Sequence, residues 1–274
     1  MFKAIGNTLS MMLALTTSGS LVSNKAMSHT ENKEGQFNQI YFGSNFYFRL
    51  YVPRGYHPGQ AVPLMVMLHG CRQDALDFAR GTQMNELAEQ GNFIVLYPEM
   101  NVLANPNRCW NWFFDYNQRR GIGEPAVIKG MVDQVKHHYS IDPNKIFIAG
   151  LSAGGAMSVI MGATYPDVFS GVGVVAGVEY SAADSPALGL NVMSHGGTDF
   201  KRGVNKALYE MGKHKRRIPV MIIHGSKDKV VNPVNADHVA VQWAQINRLG
   251  EEQFLDQFHS IQPDRIKKGL INQC

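Results

Sequence analysis

The sequence is short of charge. Charged residues make up 18% of the 274, and Lys+Arg 26 against Asp+Glu 22 leaves a net charge of only +4. That balance is too weak for a nucleic-acid footprint. The densest basic run, Lys213, Lys215, Arg216 and Arg217, has no aromatics among it and reads as a solvated loop before a strand. There is no run of 18 or more apolar residues, so no transmembrane helix and no membrane partner is expected. There is no internal repeat and no low-complexity tract. What remains is a chain with 45% hydrophobic residues, long enough for one large α/β domain with a sizeable core.

Cysteine is scarce too, with three in all. At most one intrachain disulfide can form, and Cys274 is the last residue. A Cys71–Cys109 pair would fit an exported protein and would close a loop of about 38 residues, worth roughly 3–4 kcal/mol in the chain-entropy account. The alternative is two reduced, buried thiols in a cytosolic enzyme. The N-terminus bears on the same choice. Lys3 precedes an apolar stretch, AIGNTLSMMLAL at 4–15, broken by Asn7, Thr8 and Ser10 and followed by small or polar residues through Ser23. Residues 1–23 resemble a secretory signal and residues 24–36 a polar linker. Export would make the protein secreted or periplasmic. Otherwise it is cytoplasmic with a polar tail.

Apolar runs at 46–52, 63–68, 93–97, 145–149, 172–176 and 219–223 read as strands, most of them continuous enough to be buried on both faces. Helical patterns at 74–90, 125–139, 153–164 and 235–249 alternate with them. That alternation predicts a mostly parallel sheet with helices on both faces, spanning about 37–250. From Glu251 to Cys274 no strand pattern stands out, so the tail is atypical and a last strand is missing.

Gly150-Leu151-Ser152-Ala153-Gly154 fits G-x-S-x-G between the strand KIFIA and the helical run AGGAMSVIMGAT. This is the strand–turn–helix setting of a nucleophile elbow, in which a tight bend lifts Ser152 Oγ above the strand ends. A helix N-terminus behind it favours developing negative charge. The plain alternative is an ordinary Gly/Ser-rich turn. Acyl transfer also needs two N–H donors for the tetrahedral oxygen. Ala153, the residue after the nucleophile, supplies one. Cys71, in His69-Gly70-Cys71 after the strand PLMVML, supplies the other, while His69 reads as a brace for that loop.

The usual chain order puts an acid and then a histidine after the serine. Asp228 is the strongest acid, in HGSKD just past the strand PVMII; no strand leads into Asp184 or Asp199. For the base, His238 falls within a helix, and His259 is the candidate that remains, although no strand precedes it. Asp199 with His224 would also keep the order, but His224 ends a strand and reads as a brace for the acid loop.

Six segments in order, LHGC at 68–71, NRCWNWF at 107–113, RRGIGEP at 119–125, GLSAGGAM at 150–157, ATYPDVFSGVGVVAG at 163–177 and HGSKDKVVNPVNAD at 224–237, resemble the poly(3-hydroxybutyrate) depolymerase family of esterases, related to feruloyl and acetylxylan esterases. The resemblance covers about residues 40–245. It implies an α/β-hydrolase fold, ester hydrolysis with no cofactor or metal, Ser152 as nucleophile, Asp228 as acid, Cys71 as an oxyanion donor bonded to Cys109, and Trp110 lining the substrate cleft. The family's Gly-His-Ala-Trp-Ser-Gly-type segment has no counterpart after residue 247, as in a truncated or frameshifted gene. The expected substrate is a polyester, its oligomers or a small ester. A feruloyl- or acetylxylan-type carbohydrate esterase is the second enzyme reading, and a catalytically impaired remnant is the non-enzyme one. With no room for a separate polymer-binding domain, soluble oligomers or amorphous polymer fit better. No motif bears on oligomeric state.

Overall fold

The strands that the sequence makes most apolar form the centre of the sheet. β3 (Val62–Leu68) and β4 (Ile94–Glu99) are buried along almost their whole length. The computed structural model describes residues 35–43, 45–197, 199–248, 258–259 and 267–271. The expected signal segment 1–23, most of the expected linker and most of the tail lie outside them.

β5 (Ile141–Leu151), β6 (Gly171–Val175) and β7 (Val220–His224) complete a parallel core in the order β4-β3-β5-β6-β7. β2 (Phe46–Val52) pairs antiparallel with β4, and β1 (Gln36–Phe42) antiparallel with β2. β1 has no counterpart among the predicted strands: Gln36, Asn38 and Gln39 make this edge strand look like the end of a linker.

The chain runs leftward from β3 to β4, then rightward from β4 through β5 and β6 to β7. Right-handed crossovers therefore send the helices to opposite faces. α1 (Ala75–Thr82) and α2 (Met84–Gly91) cover one face. The apolar pattern predicts a single helix here, but Gln83 adopts φ 55° and breaks it. α3 (Gly123–His138) and α4 (Ala153–Thr164) cover the other. α5 (Pro186–His195), α6 (Phe200–Met211) and α7 (Val234–Ile246) follow. α5 carries no clear apolar period, whereas α6 repeats Val204, Ala207, Leu208 and Met211 along one face, a helical signal that the strand-and-helix reading of the sequence passes over. Their starts are local: Pro186 follows Ser185, and the Asp199 carboxylate accepts the Arg202 N–H at 2.9 Å.

All twelve residues of α4 are buried. It lies close to its neighbours because a Cβ on Gly162 would come within 2.7 Å of Val172 and 3.0 Å of Trp243. The aromatic anchor here, Trp243 of α7, is itself fully buried.

The expectation of a strandless tail is corrected. β9 (Lys267–Ile271) pairs with β7, and β8 (Phe258–His259) pairs with β9, both antiparallel. The sequence signal is weak because Lys267, Lys268 and Gly269 take up three of the five β9 positions. Among the described residues no parallel strand follows β7.

The direction of winding reverses between the adjacent strands β3 and β5. That switch point leaves a crevice at their carboxyl ends. Leu68 pairs with Gly150, so the loop after β3 and the turn after β5 emerge side by side.

Candidate active site

Ser152 sits at this crevice with φ 55° and ψ −119°. A serine held in such a region costs of order 1–3 kcal/mol and persists only where the surroundings impose it. They do so here. The Ser152 N–H donates to Val175 O at 2.8 Å, and its carbonyl accepts the Ala156 N–H at 2.9 Å. On either side the glycines allow contacts that no other residue could make. A Cβ on Gly150 would lie 2.2 Å from Gly154 O, and one on Gly154 would lie 2.2 Å from Leu68 O and 2.6 Å from His69 O. The bend is thus pressed directly against the end of β3. Ser152 itself remains partly exposed.

The loop after β3 is firmly held. His69 is fully buried, its Nδ1 2.8 Å from Gly70 O, and its Nε2 accepts the Met100 N–H at 3.1 Å. These bonds fix the neutral tautomer with the proton on Nδ1. Burial also lowers the ring's pKa. With both nitrogens engaged, His69 is the brace the sequence suggests and has no free nitrogen for catalysis. Gly70 N–H donates to Gln73 Oε1 at 2.9 Å, and Arg72 N–H to Asn107 O at 2.8 Å. Among the described residues no acceptor meets the Cys71 N–H. The Ala153 N–H is in the first turn of α4, where amides lack intrahelical acceptors. Cys71 is disulfide-bonded to Cys109.

Trp110 is expected in the substrate cleft. The structure buries it to 3% exposure, and its Nε1–H donates to His69 O at 3.1 Å. Its ring also lies beside the His69 ring and borders a small pocket shared with Phe46, Glu99, Met100, Glu124 and Val127. Its observed contacts support the donor loop from behind.

Asp228 follows β7, two strands from β5. Its Oδ1 accepts the N–H groups of Val230 and Val231 at 2.8 and 3.1 Å, and its Oδ2 lies 3.6 Å from His224 Nε2. His224, 2% exposed, donates from Nε2 to Val231 O at 2.8 Å. It braces the acid loop. The weaker alternative acid, Asp199, is occupied as the cap of α6.

The backbone of His259 lies in β8, and its side chain is outside the described residues. Leu151, Val175, Ile223, Lys268 and His259 form one row across the sheet. Four interstrand steps separate its ends, roughly 19 Å at 4.8 Å each.

Sequence reasoning passes over two buried polar clusters behind the donor loop. Glu124 Oε2 and Oε1 accept the backbone and side-chain N–H groups of Asn111 at 2.8 and 2.7 Å. Burial pushes the Glu124 carboxyl up to about 7, against the pull of those two bonds. Glu99, on β4, accepts the Tyr47 hydroxyl and, at 3.2 Å, the Ala75 N–H. Both acids fall within runs whose other residues mask them: an apolar strand and a helix start.

Comparison with known proteins bears on the family and the fold. The profile of a family described as Esterase PHB depolymerase matches residues 46–256. Poly(3-hydroxyalkanoate) depolymerase C of Paucimonas lemoignei is 37% identical over 208 residues, covering 73% of this chain and 48% of that protein. The chain thus spans about half the length of that relative. Acetylxylan esterase A of Emericella nidulans is 30% identical over 223 residues, covering 77% of this chain and 71% of that protein. An acetyl xylan esterase from Aspergillus awamori superposes with a TM-score of 0.68 at 26% identity, over 77% of this chain and 80% of that one.

Proposed function

This chain belongs to the Esterase PHB depolymerase family, and from that premise we propose that it hydrolyses carboxylic esters through an acyl-enzyme on Ser152, with poly(3-hydroxybutyrate) or its oligomers as substrate. The observation that carries the reading is Ser152 itself, bent to φ 55° between β5 and α4 beside an amide donor loop. Ser152 Oγ attacks the ester carbonyl and forms the new C–O bond while its proton passes to a histidine. The Cys71 and Ala153 N–H groups stabilise the oxyanion. The C–O bond to the alcohol then breaks as the histidine returns the proton. Water repeats the sequence on the acyl-enzyme and releases the acid. Asp228 orients and stabilises the protonated imidazole. His259 is the proposed imidazole.

The disulfide supports a location outside the reducing cytoplasm, secreted or periplasmic. Relatives named for acetylxylan support an acetyl-carbohydrate substrate as the competing specificity. Release of 3-hydroxybutyrate from short oligomers, measured against release of acetate from acetylated xylan, separates the two. The preferred reading predicts a higher kcat/KM on the hydroxybutyrate ester.

A second reading, a hydrolase fold with impaired turnover, is supported by the four strand steps between Leu151 and His259. His259→Ala decides between them. A fall in kcat of at least about 100-fold supports His259 as base. An unchanged, slow kcat supports the impaired enzyme.

A further inference from the structure

Four separate links join the donor loop, residues 69–74, to the segment 105–110. Three are the Cys71–Cys109 disulfide, the Arg72 N–H to Asn107 O bond at 2.8 Å and the Trp110 Nε1–H to His69 O bond at 3.1 Å. The fourth is ionic. Arg108 Nη1 donates to Asp74 Oδ2 at 3.1 Å and lies 3.8 Å from Glu99 Oε1. An isolated exposed ion pair would contribute little. This one is anchored at both ends. Asp74 also caps α1, its Oδ1 accepting the Asp77 N–H at 2.8 Å. Burial raises the Asp74 pKa, yet the Asp77 amide and the Arg108 guanidinium outweigh it and hold the group below the usual carboxylate range. Glu99 is 5% exposed and belongs to β4, so through it the guanidinium reaches the rigid sheet. Arg108 itself is held at φ 50° by a turn, its N–H donating to Asn105 O at 2.8 Å while Asn105 Oδ1 accepts the Asn107 N–H at 2.9 Å.

We propose that Arg108 is a positioning residue for ester hydrolysis: bridging Asp74 and Glu99, it keeps the Cys71 amide aimed at the oxyanion and acts in parallel with the disulfide. The inference rests on the esterase reading. Because the two restraints are redundant, either alone keeps the donor roughly in place, and losing both leaves it held only by the Arg72–Asn107 and Trp110–His69 hydrogen bonds, which are too few to fix its aim. The signature is therefore a more-than-multiplicative loss in the double variant, seen in kcat, since the oxyanion forms only after substrate is bound.

The test measures kcat and KM for ester hydrolysis by wild type, Arg108→Gln, Cys109→Ser and the double variant, with amide hydrogen exchange on the same proteins. Each single change is expected to lower kcat by about 5-fold and the double change by at least about 100-fold, with KM within about 2-fold throughout. Arg108→Lys, which keeps the charge, should recover most of the single loss. Asp74→Asn, which keeps the cap and removes the charge, should reproduce Arg108→Gln. Exchange in a peptide covering 69–77 should speed up about 10-fold in the double variant and stay unchanged in 153–164. A double variant no worse than the product of the singles overturns the proposal, as does an effect confined to KM or unchanged exchange in 69–77. Wild-type protein that hydrolyses no ester refutes the esterase reading and the role of Arg108 with it. Wild type that hydrolyses while Arg108→Gln matches it refutes the clamp alone.

Discussion

The carboxyl ends of β3 and β5 differ sharply from the carboxyl end of β7. At β3 and β5 the chain is fixed by backbone contact: Gly154 against Leu68 O and His69 O, and the Ser152 N–H on Val175 O. At β7 the acid is also held, with two amides on Asp228 Oδ1, but its neighbouring imidazole, His224, bonds to Val231 O. Beyond β7 the sheet turns antiparallel. The proposed nucleophile and donor loop are built into the closest contacts of the sheet, where a side chain at Gly150 or Gly154 cannot fit. The proposed proton carrier, His259, belongs to the antiparallel strands beyond β7, four strand steps from Leu151.

Substitutions can sharpen this contrast. Ser152→Ala should lower kcat by at least about 10,000-fold, read as ester hydrolysis at fixed protein concentration. Residual activity within 10-fold of wild type would show that the chemistry lies elsewhere. Asp228→Asn keeps the loop's shape and tests the weaker region. If an imidazole couples to it, kcat should fall by about 1,000-fold or more, and a fall of less than 10-fold would show that no such coupling exists. Gly154→Ala tests the stronger region through packing. The new methyl would meet backbone oxygen at 2.2 Å, so stability should drop by about 3 kcal/mol and Tm by roughly 6–12 °C in thermal unfolding. An unshifted Tm would mean that the bend yields to the extra methyl and is not tightly packed.

Much of this contrast is legible in the sequence. Ser152 announces itself through two glycines and a strand-to-helix change of period, because the elbow is a local event. The helix after it reads as 153–164 and forms over those residues. His69 and His224 read as braces, and each donates or accepts backbone bonds. What escapes is long-range. Arg108 gains meaning only when Asp74 and Glu99, 34 and 9 residues away in sequence, come beside it. Trp110 sits in an aromatic-rich segment that suits a cleft wall, and only the fold shows its indole bonded to His69 O. β8 and β9 escape because β8 is only two residues long and β9 opens on Lys267, Lys268 and Gly269, so neither offers an apolar run.

A pH-dependent effect of similar size concerns the cluster behind the donor loop. The Glu124 carboxyl sits at about 7 in the fold against an ordinary 4.5. The folded protein therefore holds this proton more tightly than the unfolded chain. Its contribution to stability is full below about pH 4.5, declines as pH rises through the window to about 7, and is flat above it, a total of roughly 3 kcal/mol. Urea unfolding of wild type and Glu124→Gln at pH 4.5 and 7.5 measures the difference. The wild type should lose about that much more than the variant between the two, and parallel profiles would remove Glu124 as the cause.

The central claim is that Ser152 is an activated nucleophile facing amide donors. Reaction of the folded protein with a fluorophosphonate, followed by peptide mass mapping, tests it most directly. The account predicts one phosphonyl adduct per chain on the peptide containing Ser152, abolished in Ser152→Ala and by prior unfolding. A folded wild-type protein that takes up no label, or takes it up at another serine, would contradict it.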